Sequence, residues 1–310
     1  MPLEVVPPSG ELDGATQVFL SVRPRLFGIA YRMLGSAAEA EDLVQEIWLR
    51  WQATDRSAVL DPTAFLVTTA TRLSINVMQS ARVRRESYIG PWLPEPIDIT
   101  ADPSLGAERS EALSLAVLLL LEKLTPNERA AYVLREAFDY AYTRIAEILS
   151  LTEANVRQLV SRARKHIADS RRTPSTRAEQ QRLLSAFIAA AQQGDLTSLE
   201  SLFAADIVSL SDGGGVATAA RIPVVGRERV AKFIAAFAGH FWKGVSLTWL
   251  EANDQPAVLI TRDGAAIALA TIEANDEGIQ QILWMMNPAK LAAISAHPRL
   301  MQRPTQSMGQ

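Results

Sequence analysis

The clearest pattern of apolar and polar positions in the chain lies between Tyr142 and Lys165. Apolar residues recur there at helical spacing, until Leu151 interrupts the repeat. Thr152 can cap a second helix, because its hydroxyl accepts a hydrogen bond from a free backbone N–H of the first turn. That helix is predicted to bury a stripe formed by Val156, Leu159, Val160 and Ala163. The stretch therefore predicts two short helices joined by a tight turn.

The opposite face of the second predicted helix is polar and basic. Its residues are Asn155, Arg157, Gln158, Ser161, Arg162, Arg164 and Lys165. Arg and Gln can make bidentate hydrogen bonds to purine edges, whereas Ser and Lys suit phosphates. The pattern is typical of a helix-turn-helix that reads DNA. A solvated amphipathic helix in an ordinary bundle would give the same pattern, so the motif alone does not decide between the two.

The N-terminal part of the chain also has a helical pattern. Residues 16–53 predict two helices separated by Gly35 and Ser36, and the second places Leu43, Ile47 and Trp51 on one side. The residues that flank this stripe or face away from it include Asp42, Gln45, Glu46 and Arg50. From composition alone, these four residues form a solvated face.

A third helix is predicted from residue 63 to residue 85. Its expected core face consists of Phe65, Leu66, Thr69, Leu73, Val77 and Met78. Its last turns carry Arg82, Arg84 and Arg85, which complement the helix dipole and would also suit a phosphate backbone.

Residues 90–106 are rich in proline, which rules out a continuous helix and predicts a linker. Trp92 and Leu93 are unusual in a plain linker, and such a pair is expected to pack on another part of the protein. Residues 107–140 predict one long apolar helix, a cap at Thr125 and a second helix. Together with the helix-turn-helix they form a four-helix unit.

The pattern changes after a second linker at residues 171–176. Helices come first, followed by alternating apolar segments with Asp-Gly and Asn-Asp-Glu-Gly turns between them. Short strands joined by such turns predict antiparallel pairing. The third part is therefore expected to be an α+β domain wrapped around a curved antiparallel sheet.

Composition limits the function classes. The chain of 310 residues has no cysteine and three histidines, so we expect no disulfide, no metal site and no cofactor. It has neither a signal-peptide pattern nor an apolar run long enough for a membrane span, so we expect a cytoplasmic protein without membrane contact. Although the net charge is −3, residues 152–172 carry six basic and two acidic side chains. Basic clusters lie only in the first 172 residues, where DNA binding is predicted.

Two segments of the chain, taken together, resemble one protein family more specifically than either segment does alone. AEAEDLVQEIWLRW, followed about 100 residues later by IAEILSLTEANVRQLVSRARKHI, resembles an extracytoplasmic-function (ECF) sigma factor of bacterial RNA polymerase. By this resemblance, Asp42, Gln45, Glu46 and Arg50 would contact the β′ clamp. The region from Trp51 to Arg85, including Arg72 and Asn76, would melt and read the −10 element. The helix-turn-helix would read the −35 element.

The third part narrows the resemblance to a subgroup of ECF sigma factors with a fused SnoaL-like domain. Three segments carry it: Trp92-Leu93-Pro94-Glu95-Pro96, Asp212-Gly213-Gly214-Gly215 and Asn287-Pro288-Ala289-Lys290-Leu291. The resemblance implies that the conical α+β domain regulates the sigma factor in cis through these segments. This chain departs from the subgroup at Val216, where a basic residue is expected, and at Ala289, where aspartate is expected.

The resemblance implies a multi-domain chain that is not an enzyme. We expect region 2 at residues 15–88, a linker at 89–106, region 4 at 107–172 and the SnoaL-like domain at 178–300. The expected partners are core RNA polymerase, through the β′ clamp and the β flap, and promoter DNA. No separate anti-sigma protein is expected to be required.

Two further functions stay open for the C-terminal domain. Some SnoaL-like and isomerase-like cones use an Asp or a His–Asp pair as general acid or base, and the possible residues here are Asp212, His240 and Asp263. Each also has a structural explanation, as a turn residue or as a helix-terminal cation. An inert cone that senses a small molecule is the other possibility.

Overall fold

A computed structural model describes residues 9–86, 88–97, 114–170 and 175–295. The described residues form two compact units. The first comprises residues 9–83 and 120–166, and the second comprises residues 84–86, 88–97, 114–119, 167–170 and 175–295. None of the helices in these ranges combines the length and the apolarity that crossing a bilayer requires.

The sigma-like part of the chain is helical. Its helices are α1 (Ser9–Leu34), α2 (Ala37–Ala53), α3 (Pro62–Glu86), α4 (Leu115–Leu121), α5 (Pro126–Glu136), α6 (Tyr142–Leu149) and α7 (Glu153–Ser170). The predicted long helix before Thr125 is shorter than expected within the described residues. It ends at Leu121, because the backbone tightens there: the amide of Leu124 donates to the carbonyl of Leu121. Thr125 and Glu128 then form a capping box that begins α5.

Helices α1, α2 and α3 bury a shared apolar core. Ser36 caps α2 by accepting from the amide of Glu39, and Leu43, Ile47 and Trp51 are buried as predicted. The indole N–H of Trp51 donates to the carbonyl of Ala15 at 3.1 Å, which joins α2 to α1.

The core face of α3 is rotated from the predicted one. Its buried residues are Leu66, Val67, Ala70, Thr71 and Ser74, whereas Phe65, Thr69, Leu73, Val77 and Met78 are only half-buried. Thr71 and Ser74 satisfy their hydroxyls on carbonyls four residues earlier, which allows these small polar residues to be buried.

The predicted helix-turn-helix is confirmed. Helix α6 ends at Leu149, and the next residue, Ser150, caps it in a left-handed conformation with φ of 55°. Thr152 then caps α7 by accepting from the amide of Asn155 at 3.2 Å. Helix α7 buries Val156, Leu159, Val160 and Ala163, which is the predicted stripe.

The second unit contains most of the α+β part. Its elements after residue 175 are α8 (Arg177–Gln193), α9 (Leu196–Leu202), β1 (Phe203–Asp212), β2 (Val224–Val225), α10 (Arg227–Phe241), β3 (Val245–Ala252), β4 (Gln255–Arg262), β5 (Ala265–Asn275), β6 (Gly278–Met285) and α11 (Pro288–Ser295). The helix predicted at its start is two helices, because Gly194 ends α8 with φ of 66° and Asp195 caps α9.

Six strands form one sheet in the order β2-β1-β6-β5-β4-β3. The antiparallel meander predicted from the turns is confirmed for β3 to β6, and Asp263-Gly264 forms its two-residue turn between β4 and β5. However, β1 lies parallel to β6, so the sheet as a whole is mixed. Helices α8 and α10 cover the apolar face of the sheet, where Phe187 and Ile234 join the core.

Candidate functional site

The α2 face that the resemblance assigns to polymerase is exposed. Asp42, Gln45, Glu46 and Arg50 all face solvent, while the stripe behind them is buried. Glu46 and Arg50 form an ion pair at 2.7 Å across one helical turn. Leu49 lies on the same helix with 59% of its surface exposed, so this face also offers an apolar contact to a partner.

The polar face of α7 is exposed along its length. Its exposed residues are Asn155, Arg157, Gln158, Ser161, Arg162, Arg164 and Lys165. Three of its arginines already lie near acidic side chains of the same unit: Arg157 pairs with Glu153, Arg162 with Glu128 and Arg164 with Glu136. The hydrogen bond to Glu136 raises the pKa of Arg164. These pairs are solvent-exposed on the arginine side, so exchanging them for phosphates has a small energetic cost.

Arg72, which is predicted to contact DNA, has its guanidinium engaged inside the first unit. Its Nε donates to the carbonyl of Ile148 at 2.9 Å, and its Nη2 donates to the Ser150 hydroxyl at 2.9 Å. Both acceptors lie at the C-terminal end of α6, where the carbonyl dipoles favour a cation. Arg72 therefore joins α3 to the turn of the helix-turn-helix, although its side chain stays exposed to solvent.

The other predicted −10 contacts are Asn76 and three arginines near the end of α3. Asn76 is exposed on α3. Arg82, Arg84 and Arg85 lie within the backbone of α3, but they fall outside the residues whose side chains are described.

The structure brings the three motif segments of the second unit together around Asp212. This carboxylate is fully buried at the end of β1 and accepts four hydrogen bonds. Oδ2 accepts from the Lys290 ammonium at 2.8 Å and from the amide of Leu93 at 2.9 Å. Oδ1 accepts from the Tyr88 hydroxyl at 2.5 Å and from the amide of Gly214 at 3.0 Å. We call the cluster of Tyr88, Leu93, Asp212, Asn287 and Lys290 the latch.

Lys290 is the cation of the latch, and its side chain is 7% exposed. Besides Asp212, its ammonium donates to the carbonyl of Leu93 and lies 4.2 Å from the centre of the Trp92 ring. A buried ammonium needs such partners, because an isolated one would shift to its neutral form. Trp92 therefore packs as expected of an aromatic residue in this linker, while Leu93 is 1% exposed.

The remaining members of these segments are placed as follows. Pro94 and Pro96 are buried, Glu95 is half-buried, Pro288 is exposed and Leu291 is buried.

The glycines after Asp212 are required by close packing. A Cβ on Gly214 would lie 2.5 Å from the Asn287 side chain, and one on Gly213 would lie 2.6 Å from the carbonyl of Ala217. Gly215, with φ of 73°, packs against Ile89. The glycines do form a turn after Asp212, as their composition suggested, because the amides of Val216 and Ala217 donate to the carbonyl of Gly213. The aspartate itself ends a strand in a buried network, and the glycines allow that network to close.

Sequence reasoning missed two residues that hold the linker. Tyr88 lies between Asp212 and Asn287, whose amide donates to the Tyr88 hydroxyl at 2.9 Å. Burial, reinforced by the hydrogen bond to Asp212, raises the pKa of the Tyr88 phenol well above its usual range. The side-chain oxygen of Asn253 accepts from the backbone amide of Ile97 at 3.0 Å, and the backbone amide of Asn253 donates to the Ile97 carbonyl. The only signal for Tyr88 was an aromatic residue close to Trp92.

The two departures from the subgroup pattern lie outside the latch. Val216 is 80% exposed. Ala289 is exposed, and its backbone amide, not its side chain, bonds to Asn287. Neither substitution removes a latch contact.

The possible catalytic residues of the C-terminal domain are not arranged as an acid–base pair. His240 is exposed near the end of α10, and Asp263 is exposed in the hairpin turn. Asp212 is occupied by the latch. Within the described ranges, no cluster of three or more acidic or histidine side chains is placed to hold a metal ion.

The second unit also contains an apolar cavity of about 200 Å³. Its lining residues are Ser211, Thr218, Ala219, Ala220, Phe233, Ile234, Phe237, Phe241, Trp242, Trp284 and Met286. No histidine and no carboxylate is among these described lining residues.

Comparisons with known proteins agree with the two helical regions. The family model for sigma-70 region 2 matches residues 18–85, and the model for sigma-70 region 4 matches residues 114–167. The chain is 36% identical to the ECF RNA polymerase sigma factor SigJ of Mycobacterium tuberculosis, over 73% of this chain and 74% of that protein. It is 30% identical to the probable ECF sigma factor SigI of the same species, over 92% of this chain and 97% of that protein.

A solved structure extends the similarity to the C-terminal domain. The crystal structure of M. tuberculosis SigJ covers 90% of this chain and 98% of its own, with a TM-score of 0.71 and 30% sequence identity. The fold class is therefore confirmed: helical sigma regions 2 and 4, followed by a fused α+β domain. The chain belongs to the ECF sigma factors of RNA polymerase, which direct the initiation of transcription.

Proposed function

We propose that the C-terminal domain regulates this sigma factor in cis by holding the linker between regions 2 and 4. The observation that carries the proposal is the buried Asp212–Lys290 pair, because both of its members also bond to the backbone of Leu93. Burying two charges costs free energy of desolvation, so an ion pair stabilises packing less well than apolar residues do. Its best-supported role is to specify one arrangement of the chain over others. Here the arrangement that it specifies is the docked linker.

The docked linker directly follows region 2 in the chain, so its docking limits how far regions 2 and 4 can move apart. Helix α3 of region 2 ends at Glu86, and the latch begins two residues later at Tyr88. While the latch is closed, the linker cannot extend freely between the two DNA-binding regions. Release would lengthen the free connection and so increase the range of positions that region 4 can reach.

The contact of Arg72 supports a closed resting state. If the guanidinium of Arg72 contacts the −10 element, its bonds to the carbonyl of Ile148 and the hydroxyl of Ser150 would be exchanged for bonds to DNA. In that case, DNA binding by both regions would separate α3 from α6. Latch release and this separation would shift the population from a closed to an open state.

The partners follow from the proposed arrangement. Core RNA polymerase would contact the exposed α2 face through its β′ clamp and region 4 through its β flap, and promoter DNA would contact α7. Because the regulatory domain is fused to the chain, no separate anti-sigma protein is required. The protein would act where RNA polymerase acts, in the cytoplasm. We assign no catalytic role to the C-terminal domain, because none of its possible acid–base residues lines the cavity.

The proposal is tested by measuring the affinity for core RNA polymerase of the full chain and of a chain that ends at Arg172. If the C-terminal domain holds the sigma regions in the closed state, removing it should tighten binding, because the cost of opening is no longer included in the apparent affinity. Equal affinities would contradict cis regulation at this step.

A charge reversal tests the polymerase-binding face. Glu46→Lys should weaken core binding by about tenfold, because it places a like charge in a complementary interface. It should change the free energy of unfolding by only about 0.5 kcal/mol, since the pair with Arg50 is exposed. Glu228→Lys is the matched control, because Glu228 forms the same kind of exposed pair with Lys232 on α10. A large loss of stability for Glu46→Lys would restore a purely structural role for this face.

A second substitution tests the DNA-reading face. Arg162→Ala should weaken binding to promoter DNA selected by the wild-type holoenzyme by about 1–3 kcal/mol if its guanidinium pairs with a base edge. Arg144→Ala on α6 is the control, because its charge lies outside the predicted face. Unchanged DNA affinity of the Arg162 variant would remove this residue from the −35 contact.

A further inference from the structure

The cavity of the second unit is a built apolar site. Its volume is about 200 Å³, which exceeds the roughly 150 Å³ of an apolar protein cavity that takes up benzene. Rings form much of the wall: Phe241 lies perpendicular to Trp242 at 5.0 Å and nearly perpendicular to Trp284 at 6.0 Å. These contacts fix the rings in place, so the walls are preorganised for a ligand.

The lining selects the chemical class of the ligand. Ser211 and Thr218 carry hydroxyl groups, the two tryptophans carry indole N–H groups, and none of the described lining side chains is charged. An ionised ligand would lose its hydration there without gaining a counter-ion. An uncharged ligand of one or two rings, with at most a hydroxyl or an N–H to bond to Ser211 or Thr218, matches the shape and the polarity.

The cavity wall and the latch share the same stretches of backbone. Ser211 of the wall directly precedes Asp212 of the latch, and Met286 of the wall directly precedes Asn287. The amide of Met286 donates to the carbonyl of Asp212 at 2.7 Å. Gly213 packs closely on Ala219 of the wall: a Cβ added to Gly213 would lie 2.8 Å from the Cβ of Ala219. Displacement of Asp212 or Asn287 on latch release would therefore move wall residues of the cavity.

We propose that this cavity binds an uncharged aromatic molecule of one or two rings, and that the bound molecule stabilises the docked linker. The direction follows from linkage: the cavity has this shape when the latch is closed, so a molecule that fits it binds the closed state in preference. The proposed binding site does not depend on the proposed cis regulation, whereas any effect of the ligand on transcription rests on that proposed function.

Binding is tested by calorimetric titration of the full chain with indole and 2-naphthol, using indole-3-carboxylate as the charged counterpart. We expect saturable binding of one molecule of at least one neutral probe, and at least about tenfold weaker binding of the carboxylate. Phe237→Glu places a charge in the lining and should weaken binding at least about tenfold. Leu196→Glu is the matched control, since Phe237 is 39% and Leu196 is 36% exposed and Leu196 does not line the cavity.

Two outcomes would overturn the site. One is the absence of saturable binding of either neutral probe below about 1 mM, which corresponds to about −4 kcal/mol. The other is equal binding by the wild type and the Phe237 variant, which would place the probe elsewhere on the surface. Retained binding by the Leu196 variant shows that a surface charge alone does not remove it.

Coupling to the latch is tested by hydrogen exchange of residues 88–97 with and without the neutral probe. At a probe concentration ten times its dissociation constant, exclusive binding to the closed state should slow exchange of the Leu93 amide roughly tenfold. Binding without slower exchange would overturn the coupling and leave the site intact. Neither measurement involves polymerase, so their failure is distinct from failure of the proposed cis regulation.

Discussion

Replacing Lys290 with methionine is expected to open the latch and to destabilise the C-terminal domain by about 3–5 kcal/mol, because it leaves the buried Asp212 carboxylate without its cation. It also removes the donor to the Leu93 carbonyl and the cation next to Trp92. Amides of residues 88–97 should therefore exchange faster, and the unfolding temperature of the domain should fall. Hydrogen exchange and thermal unfolding measure the two effects, and Lys243→Met, an exposed lysine of the same domain, is the control.

A double variant separates latch opening from misfolding. Asp212→Asn combined with Lys290→Met removes both charges, so no unpaired buried ion is left and much of the lost stability should return. The side-chain oxygen of Asn can still accept from the Tyr88 hydroxyl, but the amide of Leu93 loses its carboxylate acceptor and its carbonyl loses the Lys290 donor. If the double variant is as unstable as the Lys290 variant alone, the ion pair is not the source of the latch energy.

Replacing Arg129 with methionine should loosen the packing of region 4 on region 2 within the first unit. Arg129 is fully buried on α5, and its Nε donates to the carbonyl of Arg32 on α1 at 2.8 Å. Burial lowers the pKa of Arg129 to about 9, and the nearby Tyr31 opposes part of this shift. The guanidinium also forms an ion pair with Glu122. Loss of these charge-assisted bonds should cost about 1.5–3 kcal/mol in denaturant unfolding.

The control for Arg129 is Arg144→Met on α6. Arg144 forms an exposed pair with Glu147, so its replacement should change the free energy of unfolding by no more than about 0.5 kcal/mol. If the Arg129 variant also increases access to Arg72, measured as faster exchange at the end of α6, then the buried arginine helps to maintain the closed state. An Arg129 variant as stable as the control would show that this contact contributes nothing to the packing.

Local patterns predicted the helix caps and the buried stripe of the helix-turn-helix. The caps at Thr125 and Thr152 and the stripe of α7 follow from spacing and hydrogen-bonding chemistry that act within a few residues. The core face of α3 was predicted incorrectly because its buried positions are small and partly polar. The hydroxyls of Thr71 and Ser74 donate to backbone carbonyls of the same helix, so these residues can be buried. A prediction based on the spacing of apolar side chains cannot identify such positions.

Contacts between distant segments could be predicted only by resemblance. Nothing local to Asp212 indicates that its carboxylate binds the amide of Leu93, which lies 119 residues earlier in the chain. Composition favoured a turn there, because aspartate before glycine is typical of turns. The engagement of Arg72 by the end of α6 was also missed, since a basic residue on an exposed face gives no sign of an intramolecular acceptor. The parallel pairing of β1 with β6 likewise depends on topology, not on turn chemistry.

Run-off transcription with core RNA polymerase tests cis regulation most directly. The template is a promoter selected by the wild-type holoenzyme, and the proteins are the full chain, the Asp212→Asn/Lys290→Met double variant and a chain ending at Arg172. If the latch restrains the sigma regions, the double variant and the shortened chain should both produce more transcript than the full chain at limiting sigma concentration. Equal transcript from all three proteins would contradict regulation by the C-terminal domain.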